Sequence, residues 1–391
     1  MNDMELGKIA DKYGTPTFLF DTDALKARMN EIKKIVGDAV HLCYSIKANP
    51  FLVPAMLECV EKLEVCSPGE LCICDRLQVG ADKIIYSGVS KREEDIEEAL
   101  DYGAAVYTAE SINQVERLNV AAGKRGVVIP VILRLSSGSQ FGMSKEDLCH
   151  VIEHRTDFKG LNMEGIHYFA GTQRKKLTEQ KNELEMLIAL IAELRERYGY
   201  DVKKLEYGPG LPVPYFRNEE FSDTLAPLRE IVPVLQKVAE NVELTIEMGR
   251  FYVTECGYYL TRVVDQKSNQ GTNFAIIDGG MNHLNYLGQM MGMKVPVICH
   301  LKRSQSAEHA EWCLCGSLCT TADVVVRQVS FDGLAEGDIL VFSNVGAYSV
   351  TEGIYLFLSR TMPRIVLYKD GKAELIRDFY ETYQLNCPFL E

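Results

Sequence analysis

Alternation between short apolar runs and amphipathic stretches constrains this chain more than any other feature. Runs suited to β-strands fall at 41–46, 63–66, 83–86, 104–107, 129–135, 161–168, 203–206 and 242–246. A helical pattern at 24–35 precedes the first, with Asp21 and Asp23 as cap candidates. Others begin at Pro68 and cover 93–100, 111–120, 145–154, 177–198 and 225–238. Ser67-Pro-Gly-Glu70 has the form of a capping box with proline at the first helical position. Eight βα units in about 230 residues match a (β/α)8 barrel in count and size. A doubly wound open sheet would want a glycine-rich turn after its first strand, and the chain has Tyr44-Ser-Ile-Lys47-Ala-Asn-Pro50 there. The expected fold class is therefore α/β, with a TIM-type barrel over residues 22–255.

After about residue 252 the texture changes. Strand-like runs at 258–264, 274–277, 295–300, 323–329, 338–342 and 364–368 are separated by turn signals such as Asp278-Gly-Gly and Asp370-Gly. They predict a C-terminal β-rich domain, a sandwich or small barrel, over 256–391, joined by an N-terminal strand at 17–20 from within residues 1–21. The formal net charge of −13 argues against general binding to nucleic acid or anionic membrane. The longest apolar stretch, near 127–133, is far short of the ~20 residues a membrane span needs. Residues 1–14 alternate in charge and lack the apolar core of a signal peptide, so a cytoplasmic location is expected. Twelve cysteines then read as reduced thiols, mostly packed. Cys313, Cys315 and Cys319 cluster, but no second CxxC or HxxxH supplies a fourth ligand, so no metal is expected.

Barrel enzymes carry their chemistry at the C-terminal ends of the strands, often with phosphate held after strands seven and eight. The first expected strand ends at Lys47 and the fifth at Arg134. The sixth ends in Gly165-Ile-His167-Tyr-Phe169-Ala-Gly171-Thr172-Gln173, the seventh in Glu206-Tyr-Gly208-Pro-Gly210, and the eighth in Glu247-Met-Gly249-Arg250. A lysine at an apolar strand end should face the mouth, where burial lowers its pKa and frees the amine for Schiff-base chemistry. Glycine-bearing turns let backbone N–H groups approach a phosphate, and a guanidinium binds its charge. A reactive lysine, a phosphate cradle and the carboxylate of Glu247 for a pyridine nitrogen together suggest pyridoxal 5'-phosphate. A carboxylate there keeps the ring nitrogen protonated and makes a strong electron sink, which suits decarboxylation.

These stretches resemble the motifs of the alanine-racemase-fold (group IV) pyridoxal-phosphate decarboxylases, which include ornithine and diaminopimelate decarboxylases. The resemblance covers nearly the whole chain. YSIKANP resembles the motif of the cofactor lysine, which implies that role for Lys47. GIHYFAGTQ resembles GxHxHxGSQ, with His167 and Phe169 at the histidine positions and Thr172 in place of a phosphate-binding serine. EYGPG, with Gly208 and Gly210, resembles the glycine-rich phosphate loop. IEMGR resembles EPGR, which implies Glu247 at the pyridine nitrogen and Gly249 and Arg250 at the phosphate. Gly316-Ser-Leu-Cys319-Thr-Thr-Ala-Asp323 resembles GPxCxxxD, and Gly346-Ala-Tyr348 resembles a motif whose tyrosine contacts phosphate. The resemblance further implies a homodimer in which the loop of Cys319 completes the partner's site and its thiol reprotonates the carbanion.

Three departures from the family pattern bear on the substrate. Phe169 can stack on a ring but carries no titratable proton. Thr320 follows the cysteine where enzymes that grip a free distal amine usually have an acid, and a threonine forfeits about 1.5–3 kcal/mol of charge-assisted contact. The segment Asp278-Gly-Gly-Met-Asn-His283-Leu-Asn-Tyr286 lacks the arginine usual in diaminopimelate decarboxylases. Substrate contacts are expected at Thr320, Asp323 and Tyr286. The reading is a decarboxylase of an amino acid whose distal end is modified or carrier-linked, as in siderophore or antibiotic biosynthesis. The alternatives are a diaminopimelate decarboxylase proper, a racemase or aldolase on the same fold, and a cofactor-carrying binding protein.

Overall fold

The computed structural model describes residues 1–303 and 308–388, and the chain divides into two compact units. One comprises residues 28–213 and 223–252. The other comprises residues 1–27 and 214–222 and the chain from 253 onward, so it takes in short segments that lie within the range read as barrel.

The strands in chain order begin with β1 (Thr17–Asp21). The barrel follows as β2 (Val40–Ser45), β3 (Lys62–Val65), β4 (Ile84–Tyr86), β5 (Val106–Ala109), β6 (Ile129–Leu135), β7 (Leu161–Phe169), β8 (Lys204–Gly208) and β9 (Glu243–Met248). These eight pair in parallel in sequence order, and β9 returns to β2 to close the ring. Closure explains their composition, because a parallel strand covered on both faces reads as a continuous apolar run. All four residues of β5 are buried, for example. β5 starts later than its sequence pattern suggests. Gly103 ends the helix Glu93–Tyr102 with φ 80°, and Ala104 is still tied to Ala99 as the chain leaves that helix. Ser67 caps the helix Pro68–Arg76 by accepting from the Glu70 N–H at 3.2 Å. The Glu70 carboxylate does not return to Ser67 but reaches one residue further, to the Cys66 N–H at 2.7 Å, so half of the expected box is redirected.

The second unit is built on β1 with β10 (Gly257–Asn269), β11 (Thr272–Ile277), β12 (Ile298–Leu301), β13 (His309–Cys315), β14 (Val324–Asp332), β15 (Ile339–Ser343), β16 (Arg364–Lys369) and β17 (Lys372–Arg377). They form one nine-stranded sheet in the order β14-β13-β11-β10-β1-β16-β17, with β15 branching from β10 and carrying β12. β1 lies antiparallel to β10 and parallel to β16. Long β10 serves two branches, pairing with β15 through its first half and β11 through its second. A helix at Asp3–Tyr13, which the sequence pattern did not suggest, buries Leu6, Ile9, Ala10 and Tyr13 against Leu19, Leu260, Val341 and Val366. Asn2 and Glu5 cap it reciprocally. No helix among the described residues is long and apolar enough to cross a membrane.

Candidate active site at the barrel mouth

Lys47 lies just past β2, in a single turn at Ile46–Ala48. Its Nζ is 2.8 Å from Glu64 Oε2 on β3 and 3.8 Å from Glu247 Oε1 on β9. Cys66 Sγ stands 3.5 Å from the same amine and 3.3 Å from Glu64 Oε1. The lysine side chain is 40% exposed, while Glu64 and Glu247 are almost fully enclosed. The expectation of a lowered lysine pKa fails in this geometry. Burial does favour the neutral amine, but Glu64, then Cys66 and Glu247, outweigh it and hold the amine well above its ordinary value. Lys47 is therefore stored here as an ammonium ion beside a proton acceptor.

Glu247 accepts from Ser45 Oγ at 2.7 Å and sits 3.1 Å from His167 Nε2. Burial alone would raise its pKa, but Lys47, followed by the hydrogen bond of His167, holds it well below the usual carboxylate range. Arg134 donates to Glu110 at 2.9 Å and lies over the Phe141 ring. Glu110 in turn accepts from the Gly142 N–H at 3.2 Å.

The glycine turns sit at the neighbouring strand ends. Arg250 Nε donates to Thr172 Oγ1 at 3.3 Å, which ties the turn after β9 to the turn after β7. Gly210 has φ 60°, and a Cβ on it would collide with the Gly171 carbonyl. A Cβ on Gly249 would come within 2.7 Å of the Ala48 methyl, and one on Gly208 would run into the Phe169 ring. The cradle is thus one that side chains would fill. Several buried polar atoms at the mouth also have no hydrogen-bond partner among the described residues: Arg134 Nε, His167 Nδ1 and both oxygens of Glu206. A glycine cradle with a guanidinium, an amine and an oriented carboxylate fits a phosphorylated aromatic aldehyde.

The remaining expected site residues belong to the sheet unit. Cys319 and Thr320 lie in the exposed turn between β13 and β14. Asp323 is 3% exposed and accepts from the N–H groups of Met281 and Leu318, both at 2.8 Å. It clasps two loops of its own unit. Tyr286, expected at a substrate, is instead 3% exposed, with its hydroxyl on the Ser343 carbonyl at 2.8 Å and its ring against Tyr215 and Phe216. Tyr348 has φ 67°, and its carbonyl accepts from the N–H groups of Thr351 and Glu352.

Sequence reading missed Glu64, Ser45, Cys66, Glu110 and Glu206. The available signal was an acid inside an otherwise apolar strand, at Glu64 and Glu206. Cys66 carried none and was counted with the packing thiols.

Comparison with known proteins agrees with this geometry. Residues 22–254 match the family model for the pyridoxal binding domain of pyridoxal-dependent decarboxylases. The chain is 27% identical to an L-glutamyl-(BtrI acyl-carrier protein) decarboxylase of Niallia circulans, over 96% of this chain and 94% of that protein. It is 30% identical to the diaminopimelate decarboxylase of Vibrio cholerae, over 97% and 94%. A crystal structure of diaminopimelate decarboxylase from Methanocaldococcus jannaschii in complex with L-lysine superposes with a TM-score of 0.83 at 25% identity, covering 97% of this chain and 92% of that one. By its mouth chemistry and by these likenesses, the chain belongs to the pyridoxal-phosphate-dependent decarboxylases related to diaminopimelate decarboxylase.

Proposed function

We propose that this enzyme decarboxylates an amino acid whose distal end is modified or carrier-linked, with the chemistry centred on Lys47. Pyridoxal phosphate, when bound, supplies an electron sink for the pair left behind as carbon dioxide departs. In this reading Lys47 anchors the cofactor, and Glu64, 2.8 Å away, takes the ammonium proton that must leave first. Glu247 holds the proton of the pyridine nitrogen and is itself oriented by Ser45 and His167. Gly208, Gly210, Gly249, Arg250 and Thr172 cradle the phosphate, with Tyr348 as a further contact. Phe169 would offer its aromatic face to the cofactor, and Arg134, held by Glu110, would be a further polar contact.

Cys319, from a second copy of the chain, gives its thiol proton to the carbon that has lost carbon dioxide. That role implies a homodimer, and the exposed turn that carries Cys319 supports it. Thr320 leaves the distal end without a carboxylate partner, and Asp323 holds the loop that presents both residues. The reading places the enzyme in the cytoplasm, where its twelve free thiols stay reduced.

The observation that carries the reading is Lys47 set between Glu64 and Glu247 beside a glycine-lined cradle. Trapped carbon dioxide from free and carrier-linked amino acids tests it. Release from a carrier-linked or acylated substrate is expected, and rapid turnover of free diaminopimelate or ornithine would overturn the substrate assignment. Cys319→Ala should retain bound cofactor while product formation falls on the order of 10²-fold; normal turnover would mean that another group donates the proton.

A further inference from the structure

Glu206 is a buried acid with no part in the scheme above. It lies on β8, 3% exposed, and neither carboxyl oxygen has a hydrogen-bond partner among the described residues. The other mouth acids are partnered: Glu247 by Ser45 and His167, Glu64 by Lys47, and Glu110 by Arg134. Strand register makes the exception informative. Arg134 on β6 is paired with His167 on β7, and His167 with Glu206 on β8. Residues paired across a parallel ladder project to the same face. Three neighbouring strands thus present, in one row, three buried and unpartnered groups: a guanidinium N–H, an imidazole nitrogen and a carboxyl.

We propose that Glu206 is held as a neutral acid whose O–H, relayed through one internal water, fixes His167 as the Nε2–H tautomer and so keeps Glu247 an oriented anion. His167 Nε2 faces the carboxylate of Glu247 at 3.1 Å, so that nitrogen carries the hydrogen. Nδ1 of a neutral ring is then an acceptor and needs a donor. A water that accepts from the Glu206 O–H and from Arg134 Nε–H, and donates to His167 Nδ1, gives each of the three groups a partner with three bonds, the number typical of a buried water, and its second hydrogen is left for the Glu206 carbonyl oxygen. An ionised Glu206 would be drawn to the guanidinium on the next strand but one, yet Arg134 turns to Glu110 instead. Burial, then the charges of Glu247 and Glu64, push the Glu206 carboxyl well above the carboxylate range, against the opposing pull of Lys47 and Arg134. Cys43, which also feels the charge of Glu206, is buried and its thiol is pushed up, so it adds no charge. Glu206 is thus a positioning residue that acts through His167 on Glu247.

The inference rests on the decarboxylase reading only in its kinetic arm. In the cofactor-loaded protein, ¹⁵N NMR of the His167 ring should show one protonated nitrogen, Nε2, at neutral pH. Glu206→Leu should lower kcat about tenfold with little change in KM, and shift the pH titration of the bound cofactor's absorbance. Glu206→Gln, which still donates, should recover kcat to within about threefold and restore the titration. A doubly protonated His167 in the wild type would overturn the proposal, since Nδ1 would then be a donor and could not accept from the relayed water. Glu206→Gln as damaged as Glu206→Leu would overturn it as well. If Glu206→Leu does not fold, the wild-type ring spectrum and the Gln titration still decide. Absence of carbon dioxide from every form would defeat the decarboxylase reading and leave the NMR result standing.

Discussion

Glu247 in the barrel and Asp323 in the sheet unit are both buried acids held by short hydrogen bonds, yet their proton affinities move in opposite directions. Burial raises both. At Glu247 the nearby Lys47 and His167 overcome it and hold the carboxylate ionised. At Asp323 the partners are the backbone N–H groups of Met281 and Leu318, which offset burial only in part, and the pKa stays raised. Asp278 behaves in the same way, with Thr15, Thr261 and the Arg262 N–H as its partners. Acids facing cations have a fixed charge that a cofactor or a substrate can feel. Acids facing backbone amides hold loops in place. The two regions therefore answer differently to mutation.

The largest effect should come from Lys47→Ala, which removes the group the mouth acids surround. We expect loss of the visible absorption of protein-bound cofactor and a fall in kcat on the order of 10³-fold or more. An unchanged band would break the comparison at its centre. Glu247→Gln keeps the shape and removes the charge. It should bind cofactor and lose kcat on the order of 10²-fold, read by steady-state kinetics. Normal kcat would remove the pyridine-nitrogen argument. Neither substitution should disturb the loops of the sheet unit.

What was legible in the sequence follows the same division. Lys47, Glu247 and the glycine turns could be read because each stands at the end of a strand, and strand ends are local features. The pairing of Lys47 with Glu64, of Arg134 with Glu110, and the row Arg134–His167–Glu206 could not. Those contacts run between strands, and barrel closure sets which acid meets which cation. The helix Asp3–Tyr13 escaped because its charged residues hide a narrow apolar face. β17 escaped because it is an edge strand with no fully buried residue, which leaves no clean alternation. The aromatic pocket that Tyr286 shares with Tyr215 and Phe216 could not be read either, because it too joins residues distant in sequence.

Asp323→Ala tests the loop side. It leaves the N–H groups of Met281 and Leu318 without an acceptor in a buried place, and should cost about 3 kcal/mol. Thermal unfolding and proteolysis near residues 280 and 318 should both report it, with the cofactor's absorbance retained. Asp323→Asn keeps one acceptor and should recover about half of the loss. Equal loss of bound cofactor in both variants would show that Asp323 acts as a charge and belongs with the mouth acids.

The smallest effect depends on pH and lies at His283, in the loop that Asp323 fastens. Its Nδ1 is 2.7 Å from the Tyr259 hydroxyl and its ring stacks on Tyr355. Burial, then the charges of Arg377 and Arg360, hold its pKa down to about 3. The native ring therefore stays neutral while the unfolded one begins to protonate below its ordinary value near 6.5. A depressed pKa contributes stability that is fully present above the unfolded value and is lost as pH falls toward the native one. From pH 7 to pH 5 the loss is about 2 kcal/mol, set almost wholly by the unfolded pKa because the native ring has not begun to titrate. His283→Gln cannot protonate, so its Tm should be less steep against pH over that interval than the wild type's, whatever its absolute stability. Parallel slopes would mean that His283 gains its proton in the folded state, and that the loops of the sheet unit tolerate charge as the barrel mouth does.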